Sequence, residues 1–147
     1  MEDVLEGITK RVDEEPFARH VGMTLKDIGP GHSVVEMILR PEMENILGMA
    51  HGGAIFSLID EAFETASNSH GTIAVALNMN ITYISSPPMG SLLRAEAREI
   101  SLTRRTASYL INVTDAQDQL VATCQALVYR KEDTLPFLEG KRGNHAG

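Results

Sequence analysis

The residues best equipped for chemistry lie in one stretch. It runs Asn45-Ile-Leu-Gly48-Met-Ala-His51-Gly52-Gly53 and continues to Leu58-Ile-Asp60-Glu61-Ala-Phe-Glu64. A glycine pair opening an apolar helix lets a ligand approach unpaired N–H groups at the positive end of the helix dipole. Asp60 follows two to three turns further in. A backbone that binds an oxyanion, followed by a carboxylate that can act as base or nucleophile, is equipment for acyl transfer. The competing reading puts Asp60 on a solvated helical stripe with Glu64; the preceding glycine motif favours catalysis. Arg104 and Arg105 read either as a phosphate-binding pair or as a solvated turn. His20, His32, His70, His145 and Cys124 lack metal-ligand spacing, so no metal is expected. No Gly-x-Ser-x-Gly elbow is present, which argues against a Ser-His-Asp hydrolase.

The elements that must hold these residues are legible in the periodicity. Ala54, Ile55, Leu58, Ile59, Ala62, Phe63 and Ala66 recur at helical spacing and predict a helix over 52–68. Its polar stripe is Gly53, Ser57, Asp60, Glu64 and Asn68. So wide an apolar face needs something larger than one neighbouring helix around it. Downstream, residues 73–83 alternate as a strand, and 93–98, 107–113 and 120–129 follow between turns. The last of these is expected to be buried on both faces. Upstream, Val4, Ile8 and Val12 predict a short amphipathic helix within a lead-in over 1–21 that Pro16 interrupts. Gly29-Pro30-Gly31 separates two further strands, 23–27 and 33–39. The prediction is an α+β fold, a curved antiparallel sheet of about six strands around one long helix. It forms a single domain over 1–131, with 132–147 as a loose tail. Long strands with an open edge predict a homodimer.

Composition narrows the function. A chain of 147 residues is the size of one domain, and 43% hydrophobic content supplies its core. Lys and Arg total 13 against 20 Asp and Glu, a formal charge of −7, which argues against nucleic acid as a partner. Cys124 is the lone cysteine, so no intrachain disulfide forms and a reducing, cytoplasmic setting is expected. The acidic N-terminal residues do not read as a secretory signal. No run approaches the roughly 20 apolar residues of a membrane span.

Asn45-x-x-Gly48-x-x-His51-Gly52-Gly53 with Leu58-x-Asp60-x-Ala62 resembles the hot-dog-fold acyl-CoA thioesterases, in particular their phenylacetate-pathway, PaaI-like branch. Asn80-Ile-Thr-Tyr83, Leu93-x-Ala95-x-Ala97, Arg105-Thr106 and Leu120-Val-Ala122 extend the resemblance over about 15–131. It implies hydrolysis of an acyl- or aryl-acyl-coenzyme A with no metal or other cofactor, at sites between the subunits of a homodimer that often pairs into a dimer of dimers. By position, Asp60 would be the catalytic carboxylate and the Gly52 N–H would polarise the thioester carbonyl, with Gly53 beside it. Asn45 would orient the thioester or the attacking water. His51 would fix the turn and touch the acyl carbonyl. Apart from the resemblance, Glu64 on the same stripe reads either as shaping the acyl pocket or as surface charge, and Arg104 and Arg105, unless they form a solvated turn, would meet the phosphates of coenzyme A. Relatives carry a Ser or Thr on the strand after the helix, assisting from the neighbouring subunit. Here Ala76 stands at that position, with Asn78 expected two residues on along the same face. Two other readings stay open at this level: an acyl-thioester hydratase or dehydratase, and a non-catalytic acyl-CoA-binding protein.

Overall fold

The computed structural model describes residues 2–139. Helices α1 (Glu2–Glu14) and α2 (Pro16–Val21) lead in. Ile8 and Val12 of α1 are buried. Pro16 stands at the start of α2, where its missing N–H costs nothing. Gly22, at φ 85°, closes α2 by donating its N–H to the Ala18 carbonyl. Strands β1 (Thr24–Gly29) and β2 (His32–Ile38) form the expected hairpin. A 3₁₀ turn at Pro41–Met43 leads to α3 (Gly52–Asn68), whose bounds are those its periodicity predicts. Then come β3 (Thr72–Tyr83), β4 (Leu92–Leu102), β5 (Thr106–Thr114), β6 (Leu120–Thr134) and the short α4 (Pro136–Glu139).

The six strands form one curved antiparallel sheet in the order β1-β2-β4-β5-β6-β3. Helix α3 lies in its concave face and touches every strand. That answers the width of its apolar surface: Ile55, Leu58, Ile59, Ala62, Phe63 and Ala66 are all buried. Phe63 meets Tyr109 of β5 edge to face, with centroids 5.7 Å apart. Buried Ser33 of β2 donates to the Ala62 carbonyl at 2.6 Å and so satisfies its hydroxyl inside the core.

Two expectations change. Strand β6 is not buried on both faces: Ala122, Cys124, Ala126 and Val128 point inward, while Thr123, Gln125, Leu127 and Tyr129 on the other face stay half-buried or exposed. Among the described residues, only the concave face has a helix to cover it. Nor does the chain loosen at residue 132. Strand β6 runs on to Thr134, and Leu135 and Leu138 are buried where α4 meets α1. Leu138 lies so close to Gly7 that a β-carbon there would come within 2.6 Å of it. Scattered charges hide this segment in the sequence; two leucines and a phenylalanine anchor it. Residues 140–147, including His145 and the remainder of the expected tail, lie outside the described residues. No described helix is long and apolar enough to cross a membrane.

Candidate active site

The turn before α3 is built by Asn45. Its Oδ1 accepts the N–H groups of Leu47 at 2.8 Å and Met49 at 3.0 Å. The reversal passes through Gly48 at φ 74°, which favours glycine. The Asn45 oxygen is therefore committed to the fold, and its NH₂ group is the part left for a ligand. His51 caps the helix: its Nδ1 accepts the Gly53 N–H at 2.9 Å, so the neutral ring is assigned its proton on Nε2. A β-carbon at Gly53 would stand 3.0 Å from that Nδ1, so glycine keeps the cap close. With Gly53 occupied, the Gly52 N–H is the helix-terminal donor that has no acceptor among the described residues. Tyr83, at the end of β3, holds the same residue by donating its hydroxyl to the Gly52 carbonyl at 3.0 Å. Asn45, Met49, Gly52, Ile55, Tyr83 and Ile84 line a groove of about 380 Å³.

Asp60 opens elsewhere. It is partly exposed and takes no hydrogen bond among the described residues. Burial raises its carboxyl above the usual aspartate value, and the charge of Glu15 adds to the rise. Asp60, Phe63, Glu64, Ser67, Ala76 and Val128 line a cavity of about 270 Å³. Glu64 is likewise raised, first by burial and then by the charge of Glu15.

Ala76, at the position where the resemblance implies a hydroxyl, lines the same cavity as Asp60 within the chain. Asn78 does not share its face. The register slips between Ala76, paired with Val128, and Asn78, paired with Leu127. Leu77 is the extra residue of a β-bulge, which turns Asn78 to the outer face of the sheet. Ser67 supplies the hydroxyl that reaches the Asp60 cavity, and it donates to the Glu64 carbonyl at 3.3 Å. Its place seven residues after Asp60, two turns along the same helical face, was the signal available for it. Tyr83 had no comparable signal, because its role depends on where a strand end meets a helix start. Arg104 and Arg105 sit exposed at the β4–β5 turn, where Arg104 pairs with Glu132 at 2.5 Å. Neither lines the Gly52 groove or the Asp60 cavity.

A profile of the thioesterase superfamily matches residues 47–122, the segment that contains Gly52 and Asp60. The chain belongs to the thioesterase superfamily. It is a thioester hydrolase of the PaaI-like type, and its architecture is the hot-dog fold. The thioesterase is 42% identical over 106 residues to a protein of Archaeoglobus fulgidus, covering 72% of this chain and 69% of that one. It is 30% identical over 123 residues to the acyl-coenzyme A thioesterase PaaI of Escherichia coli, covering 84% and 88%. The solved structure of E. coli PaaI superposes with a TM-score of 0.86 at 28% identity, over 90% of this chain and 96% of that chain. A Streptococcus mutans protein solved bound to acetyl CoA superposes with a TM-score of 0.73 at 28% identity, over 77% and 91%.

Proposed function

We propose that this thioesterase hydrolyses an acyl- or aryl-acyl-coenzyme A to the free acid and coenzyme A, in sites shared between the two subunits of a homodimer. The observation that carries this is the separation of its two halves. Gly52 and Asp60 are eight residues apart on one straight element, about 12 Å at 1.5 Å per residue. They open into different cavities. Reacting atoms must come within about 3–3.5 Å of one another. A thioester whose carbonyl rests on Gly52 therefore needs the Asp60 of a second copy. The acyl-CoA relative and the acetyl CoA-bound neighbour support the substrate class.

In this reading the Gly52 N–H stabilises the oxyanion as the carbonyl carbon becomes tetrahedral. Asp60 takes a proton from the attacking water, and collapse expels the coenzyme A thiolate. Direct attack by Asp60, through an anhydride, uses the same geometry. The Asn45 NH₂ orients the thioester, and the His51 Nε2–H meets the acyl oxygen. Glu64 and Ser67 line the wall beside Asp60. Arg105, with Arg104, offers charge to the phosphates of coenzyme A. No metal or cofactor takes part in these steps. A lone, buried Cys124 suits the reducing cytoplasm, and a dimer of dimers is the assembly the resemblance implies.

Mixing subunits tests this directly. Asp60→Asn removes the carboxylate. Gly52→Pro removes the N–H at the first helical position, where proline is tolerated, and His51 before it already has the extended backbone that proline requires. Losing one oxyanion donor costs about 10²–10³ in kcat. Each variant alone should release almost no thiol. Co-refolded in equal amounts, they should regain about a quarter of wild-type activity, since half the dimers are mixed and each holds one intact site of two. Mixtures no more active than the parents would place both groups in one protomer and sink the shared-site reading.

A further inference from the structure

Three carboxylates converge beneath the lead-in helices, away from the Gly52 groove. Glu15 joins α1 to α2, and Glu61 and Glu64 stand on α3. One oxygen from each lies within 4.8 Å of the others. Glu61 is only 3% exposed, and its Oε2 has no hydrogen-bond partner among the described residues. None of the three forms an ion pair among the described residues. Ionised carboxylates only accept hydrogen bonds, so they cannot satisfy one another. The charged groups around them are few. Arg11, across the adjoining cavity, is the weakest influence on Glu64, and Asp60 adds a further negative charge. A buried polar atom left like this costs stability unless something meets it.

We propose that Glu15, Glu61 and Glu64 form a binding site for a hard divalent cation that ties the α1–α2 junction to α3. An all-oxygen donor set selects such ions over thiophilic or imidazole-seeking metals. Oxygens around calcium sit about 2.3–2.6 Å from the ion, so ligands on opposite sides are about 4.6–5.2 Å apart. Three donors spread evenly about such an ion are about 4.0–4.5 Å apart, so oxygens within 4.8 Å of one another need at most a small side-chain adjustment to share one ion. A single proton would join one pair of oxygens and leave two negative charges beside Asp60; a divalent ion meets all three at once. The cation lies outside the hydrolytic steps and holds the wall of the cavity rather than the thioester. This inference stands independently of the shared-site reading.

The test uses full-length protein stripped with a chelator and titrated with CaCl₂, and separately with MgCl₂ and MnCl₂, by calorimetry and thermal unfolding. At least one ion should bind saturably, one per chain. It should raise Tm by about 5 °C at a large excess over its Kd. Glu61→Gln and Glu15→Gln, both close in shape to the native residues, should each weaken binding at least tenfold. Asp60→Asn should abolish thiol release yet keep the cation response, which separates failure of this site from failure of the hydrolytic reading. The rival occupant is a proton. Burial first, then Glu15 and Glu64, push the Glu61 carboxyl up to about 10. Stability in the stripped protein is then full below about 4.5 and is lost as pH rises towards 10. A bound cation should flatten that fall. Absence of saturable binding by all three ions, or binding retained in either glutamine variant, would leave the proton as sole occupant and overturn the proposal.

Discussion

At the scale of single residues, Asp60 and Gly52, the two groups proposed for the reaction, have opposite surroundings. Gly52 presents a donor with nothing to satisfy it, at a helix end held by His51 and Tyr83. Asp60 sits against Phe63 and Val128, where burial disfavours its charge. A base must be ionised to accept a proton, so kcat/KM should climb with pH through the Asp60 pKa. Because that pKa is raised, the acid limb should lie above the usual aspartate range near 3.8. Glu15→Gln removes the second cause of the rise and should move the limb to lower pH in chelator-treated enzyme. A pH–rate profile of thiol release checks both; a limb that stays in place would detach Glu15 from Asp60.

At the scale of elements, the turn over residues 45–49 and the first turn of α3 act together. Asn45 contributes its oxygen to two backbone N–H groups and leaves its NH₂ towards the groove. Asn45→Asp keeps the oxygen and removes the NH₂. It should unfold within about 1 kcal/mol of wild type, since an aspartate accepts the same two bonds at a turn. Its kcat/KM should nevertheless fall at least tenfold if the NH₂ orients the thioester. Urea unfolding and thiol release, measured on the same preparation, separate the two effects. Equal activity with lowered stability would confine Asn45 to building the turn.

At the scale of the molecule, the sheet ends in β3, one edge of which has no partner strand among the described residues. Val75 and Leu77 are exposed on it, and Leu77 is 56% exposed at the bulge. An edge that is long, apolar and uncharged invites another strand. Pairing β3 with its copy would cover these residues and bring the Asp60 cavity of one subunit towards the Gly52 groove of the other. Leu77→Asp puts a carboxylate on that edge in each copy of the chain. It should shift the protein from dimer to monomer in light scattering, and thiol release should fall in parallel with the dimer fraction. An active monomer would contradict the need for a second copy.

The kinds of element were legible in the chain because each rests on local pattern. Helix α3 has the predicted bounds because its apolar period and its opening glycines are local signals. The strand count follows from alternation, which is also local, and the glycine–aspartate spacing marks the site. Tertiary structure decided what depends on register and on long-range packing. One extra residue at Leu77 sends Asn78 to the outer face, since a slip of one reverses every side chain beyond it. Tyr83 meets Gly52 across 31 positions of chain. Glu15 meets Glu61 and Glu64 because the lead-in helices fold back onto α3. Ala76 and Asp60 line one cavity, and the length of α3 separates it from the groove at Gly52.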